Sequence, residues 1–177
     1  MGNKSLVRST IRDDRRYNSA KAGAFGPAGS LSFVVIAGGG GSGNNEGSGA
    51  GGAGGYLSSW NNEPSGGSSA ALTAISLTGR DYGVSIGAGG AGGVAPHQGN
   101  NGNNTVFDSL VALGGGAGAR ANNNFGSIGG SGGGNGGNQS PNTPGITNQG
   151  FAGGTNTFQS APNYGGCLLY TSDAADE

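Results

Sequence analysis

Apolar residues along this chain come in short bursts, and each burst stops in glycine. Leu31 to Gly43 reads LSFVVIAGGGGSG, Tyr82 to Gly93 reads YGVSIGAGGAGG, and Val106 to Gly118 reads VFDSLVALGGGAG. Val, Ile and Phe suit a pleated, half-buried surface, whereas glycine weakens strand interiors and serves where backbone must approach something closely. Each unit therefore predicts a strand that delivers the chain into a glycine segment. The continuous run Phe33 to Ile36 predicts burial on both faces. Tyr82, Val84 and Ile86 alternate with Gly83 and Ser85, which predicts a strand with one buried face.

Weaker signals fill the intervals. Tyr56 to Trp60 reads as a short strand and Asn61 to Ser69 as a turn cluster of Asn, Pro, Gly and Ser. Ala71 to Leu77 fits a bulged strand better than a short helix, and Thr78 to Asp81 then reads as a hairpin turn into Tyr82. His97 to Asn104 (HQGNNGNN) reads as an Asn/Gly loop, and Thr105 to Leu113 as one longer strand. Leu6 to Tyr17 is weakly periodic and allows one or two helical turns. The fold class expected is all-β: a small antiparallel β domain over residues 31–118, with extended, polyproline-II-like glycine loops at strand ends. In that extended form, glycine runs can lie side by side and bond laterally through their backbones. A basic arm and linker precede the domain at residues 1–30. For the Gly/Asn/Ser-rich extension at 119–166, ordered glycine loops and disorder both fit.

Composition sharpens this picture. Glycine supplies 44 of 177 residues and charged residues only 10%, against roughly 7% and 25% in ordinary domains. Large apolar side chains are few, so a thin domain that leans on neighbours or on a homo-oligomer is expected. The charge is asymmetric. Lys4, Arg8, Arg12, Arg15, Arg16 and Lys21 outnumber Asp13 and Asp14, whereas in the body Arg80 and Arg120 face Glu46, Glu63, Asp81 and Asp108. A short basic arm of this kind reads as a solvated tail, and the body has no basic stripe, so no nucleic-acid partner is expected. No apolar run approaches the ~18 residues that cross a membrane. Charge interrupts Leu6, Val7 and Ile11, so they make no signal-peptide core, and Leu6 stands where myristoylation wants Ser or Thr. A soluble, unprocessed chain without membrane insertion is expected.

Several patterns resemble chemical sites and fail on context. Gly38, Gly40 and Gly43 satisfy the dinucleotide fingerprint after a strand, as do Gly87, Gly89 and Gly92, but NNEGSGAGGAGG after Gly43 cannot form the required amphipathic helix. There is no Walker phosphate loop. His97, the sole histidine, lacks the partners that a nucleophile or a metal site needs. Asp81 and Asp108 could pair as carboxylates, yet they read more simply as a turn residue and a solvent-facing strand residue. The glycine spacing is too irregular for a collagen helix. No enzymatic activity, catalytic residue, metal or cofactor is expected.

Taken in order, FVVIAGGGGSG, GGAGGYL, YGVSIGAGG, NNTVFDSLVALGGGAGA and GGSGGGNGG resemble the glycine-rich domain of bacteriophage tail fibre and virion appendage proteins and of some bacterial surface proteins. The likeness covers about Leu31 to Gly166. Before the first glycine strand that family carries a hydrophobic strand and a Pro-Ala-Gly turn, of which only FGPAG at Phe25 to Gly29 remains here. The resemblance implies an all-β scaffold in the virion, structural or receptor-recognising. Its partners would be a host cell-surface glycan or outer-membrane protein, with other virion proteins beside it and a homotrimer as one arrangement. A bacterial cell-surface or secreted structural protein and a flexible linker are the alternatives. Tyr56, Trp60, Asn100, Asn101, Asn103 and Asn104 offer the stacking and amide bonding that receptor contact requires.

Residues 167–177, CLLYTSDAADE, break the pattern: they lack glycine and bring three acids. One choice of codons for them resembles the transposase end plus adapter of shotgun library preparation. The expectation is that natural sequence stops after Gly166, in which case Cys167 says nothing about redox compartment.

Overall fold

The computed structural model describes residues 9–12 and 29–155, apart from 46, 79, 122, 123 and 138. The tail at 167–177, the Phe25 to Ala28 part of the turn and most of the basic arm lie outside these residues. The described elements are all strands: β1 (Ser9–Arg12), β2 (Ser30–Leu31), β3 (Val34–Ile36), β4 (Tyr56–Ser58), β5 (Ile75–Ser76), β6 (Asp81–Ser85), β7 (Thr105–Phe107) and β8 (Leu110–Ala112). They make a four-stranded sheet ordered β1-β6-β7-β8 and two two-stranded sheets, β2-β5 and β3-β4. Every strand pair is antiparallel. The fold is all-β, as the apolar bursts require.

The core is small and aromatic. Phe33, Val35, Leu57, Tyr82 and Phe107 are buried together, and Leu31, Leu72, Ile75, Val84 and Leu110 pack against them. The Phe33 ring meets the edge of Phe107 at 5.8 Å and Tyr82 lies 6.4 Å from Phe107, separations at which aromatic pairs attract beyond their area burial. Tyr82 is fully buried, and its hydroxyl oxygen accepts the Thr78 amide at 2.7 Å.

Five expectations are corrected here. Phe33 to Ile36 is buried on one face only: Phe33 and Val35 point inward while Val34 and Ile36 are about half exposed, because the opposite face has no covering layer. Thr105 to Leu113 is two strands joined by Asp108 and Ser109, with Phe107 opposite Leu110. Asp108 sits at φ 54°, a left-handed conformation that Asp tolerates. Asp81 opens a strand and Asp108 makes the turn, the reverse of the expected roles. β5 and β6 do not pair as a hairpin, since β5 pairs with β2 and β6 with β1 and β7; the hydrogen bond from the Thr78 amide to the Tyr82 hydroxyl links them instead. Ser9–Arg12 is a strand where helical turns were allowed, and it pairs with the open side of β6.

The larger part of the molecule is built from the glycine runs. Ala37, Gly40 and Gly43 donate to Gly55, Gly52 and Gly49, while Gly38 and Gly41 donate to Asn103 and Asn100. The first run, 37–43, therefore addresses a different neighbour with each successive residue and returns to the same neighbour every third. That is the signature of a polyproline-II helix, three residues per turn and about 3.1 Å per residue, here bonded laterally. Gly90 and Gly93 of the run 87–93 donate to Gly39 and Ser42, and Gly115 and Gly118 of the run 113–119 donate to Gly38 and Gly41. The first run is thus bonded to four others: 49–55, 87–93, 99–104 and 113–119.

Residues 126–154 extend the same lattice. Ser131, Gly134 and Gly137 donate to Ala53, Ala50 and Gly47, and Gly116 and Ala119 donate to Ser131 and Gly134. Of the two readings left open for this segment, ordered glycine runs are what its described residues form. Residues 99–104 are likewise a lattice run, not the loop expected of HQGNNGNN.

Candidate recognition site

The strands and the lattice share one axis, and this decides where loops gather. The first run leaves β3 and the run 49–55 returns into β4; the run 87–93 leaves β6 and the run 99–104 returns into β7. The core strands stand at one end. The described residues of the reversals between runs, within 44–48, 94–98, 120–126 and 138–142, stand at the other.

Contacts tie these reversals together. Asn44 Nδ2 donates to the Gly93 carbonyl at 3.2 Å, and the Arg120 guanidinium to the Pro96 carbonyl at 3.4 Å. Gly137 donates to the Gly47 carbonyl at 3.0 Å, and Gly136 to that of Asn124 at 2.9 Å. Beneath them Asn135 is fully buried. Its Oδ1 accepts from the Gly126 amide and the Thr143 hydroxyl, and its Nδ2 donates to the carbonyls of Gln139 and Pro141. One amide group thus spends its whole bonding capacity bracing two reversals.

The surface they present is mixed. Val94, Ala95, Pro96, His97, Gln98 and Arg120 are exposed, with Phe125 and Ile128 beside them. Val94 is 76% exposed. Gln98 Nε2 donates to Ser127 Oγ at 3.0 Å, which joins the reversal 94–98 to the run that follows 120–126.

The residues expected to make receptor contact are not gathered on this surface. Tyr56 begins β4 at the strand end and is half-buried, and Trp60 is 61% exposed close behind it. Asn100, Asn101, Asn103 and Asn104 are exposed along the run 99–104. That run and 49–55, which leads into Tyr56, both bond to the runs 37–43 and 113–119 and not to one another among the described residues. In a threefold lattice two such runs occupy opposite flanks. Asn101 and Asn104 also have structural work: their Oδ1 atoms accept the amides of Ala117 at 2.8 Å and Gly114 at 2.9 Å. The reversal residues escaped sequence reasoning because Val94 to Gln98 carries no chemical motif. The signal present was a five-residue interruption, VAPHQ, between two glycine runs.

The carboxylate candidates are also separated by role. Asp108 is held by Arg80 through two hydrogen bonds of 2.7 and 2.6 Å, and the same guanidinium lies 4.2 Å above the Tyr82 ring. The Arg80 bond lowers the pKa of Asp108, and Asp108 in turn raises that of Arg80. This cluster clamps the β7–β8 turn over the core.

No curated protein and no solved structure matched the chain. The sequence profile of the glycine-rich domain matches residues 20–175, most of the chain. The chain accordingly belongs to the glycine-rich domain family.

Proposed function

We propose that this chain is a non-enzymatic recognition segment of a phage tail fibre or virion appendage, in which a glycine lattice holds a set of loops against a host surface. One observation carries this reading: four reversals converge at the lattice end and are cross-braced, with Val94, His97, Gln98, Arg120 and Phe125 around them. Binding residues on loops positioned by a rigid scaffold are the common arrangement for recognition. The virion setting rests on the order of the glycine motifs, and the partner would be a surface glycan or an outer-membrane protein. Short polar loops bury little area, so each contact is weak. Clustering such segments on a fibre raises avidity by about 10² to 10⁴.

The test is display of the chain on beads against a panel of bacterial cells. Retention of a particular cell type, lost in a variant carrying Val94→Ala, His97→Ala and Arg120→Ala, supports recognition at the reversals. Loss instead in Trp60→Ala, or in Asn100→Ala with Asn103→Ala, moves recognition to the flanks. If no cell type is retained, a structural spacer is the better account.

A further inference from the structure

Among the described residues the lattice has an open edge. Around the first run, four of the six lateral positions of a threefold lattice are filled, by the runs named above. Facing the unfilled side, the amides of Gly39 and Ser42 have no hydrogen-bond partner among the described residues, and neither do the carbonyls of Gly87 and Gly90 in the neighbouring run. Both rows repeat every third residue, the same spacing by which Ala37, Gly40 and Gly43 hold the run 49–55. An exposed ladder of unpaired backbone groups is a template for another chain.

Two further features shape what the edge accepts. Where the two runs leave their strands, a cavity of about 330 Å³ opens, with Leu31, Val34, Ile36, Val84 and Ile86 among its lining residues. Ile36 is 52% exposed and Ile86 80%. Along the runs themselves, a methyl group on Gly39 or Gly89 would come no nearer than 3.6 Å to any neighbour, and on Gly92 no nearer than 3.7 Å. These glycines are not required by the chain's own packing, in contrast to Gly38, Gly40, Gly41, Gly87, Gly90 and Gly93, where a methyl would strike backbone.

We propose that this edge docks one further extended glycine segment, supplied by another polypeptide, whose apolar residues fill the cavity and whose glycines continue along the paired rows. The spacing selects the occupant. A β-strand repeats every second residue and cannot match donors at every third. A side chain projecting inward would meet backbone, as it would at the interior runs, so every third residue of the partner must be glycine. The site is continuous with the internal lattice and reads the chain's own pattern, an apolar burst followed by glycine.

The probe is a fluorescein-labelled peptide with the sequence of residues 82–93, YGVSIGAGGAGG, titrated with the full chain and followed by anisotropy. Wild type should bind it saturably. Gly89→Leu with Gly92→Leu should melt with the wild type yet bind at least about tenfold more weakly, because the added side chains stand where the segment would lie. Ser42→Tyr, at a position whose side chain already faces solvent, should act alike and serves if the double variant melts early. Self-association of the wild type in sedimentation, lost in the same variants, would name a second copy as the donor. Absence of saturable binding by wild type, or equal binding by properly folded variants, overturns the proposal.

Discussion

The amide of Gly40 donates to the carbonyl of Gly52 at 2.8 Å, and neither of these bonded residues has room for a side chain, because each is closed in by a further run. A methyl on Gly40 would run into the Gly116 carbonyl, and one on Gly52 into the carbonyls of Ser131 and Gly132. One residue away, Gly39 faces open space. Gly40→Ala should therefore destabilise the chain by at least about 1–3 kcal/mol, as overpacking does, since the surrounding backbone is held by bonds on several sides. Gly39→Ala should be neutral or stabilise by up to about 1 kcal/mol through the unfolded state. Urea unfolding of the two variants separates these outcomes, and equal effects would contradict the lattice geometry.

Asn135 is the buried brace beneath the reversals. Its removal in Asn135→Ala strands the Gly126 amide and the Thr143 hydroxyl, and a buried orphaned group costs about 1–3 kcal/mol. A loss of that size should register in chemical denaturation. Hydrogen exchange at Gly126 should accelerate before exchange in the β6–β7 pair does.

The Arg80–Asp108 clamp makes stability sensitive to acid. Arg80 bonds the charged carboxylate and holds the folded pKa of Asp108 below its ordinary value of 3.8. The folded chain then binds fewer protons than the unfolded one in this window. The stabilisation is complete above the ordinary value and is lost as pH falls through the lower, folded one. Asp108→Asn keeps a residue that tolerates the left-handed backbone and should remove this acid-sensitive component from a melting-temperature titration.

The four exposed asparagines of the run 99–104 divide by function. Asn101→Ala and Asn104→Ala each remove an acceptor from a lattice amide, so each should cost about 0.5–1.5 kcal/mol. Asn100→Ala and Asn103→Ala should stay within about 0.5 kcal/mol, as surface changes usually do. Thermal melts of the four single variants check the division. Only the second pair can then report cleanly on receptor contact.

What the sequence alone determined was the alphabet of the fold. Apolar bursts of strand length that end in glycine require short strands, and Tyr82, Val84 and Phe107 were legible as strand residues because β-branched and aromatic side chains suit a pleat. The lateral bonding of extended glycine runs was also legible, since bare backbone must satisfy its own polar groups. Which run lies beside which was not. Gly38 and Gly39 are identical in sequence, and only the position of Ala88 makes one indispensable and the other free. Likewise Asn101 and Asn103 look alike in NNGNN, yet the threefold turn aims one amide at Ala117 and leaves the other exposed. The convergence of Val94 to Gln98 with Arg120 depends on parallel registers between runs some fifty and some eighty residues apart. Such registers are set by hydrogen bonds that any glycine could make, so tertiary packing chooses among them, and with them which reversals stand together.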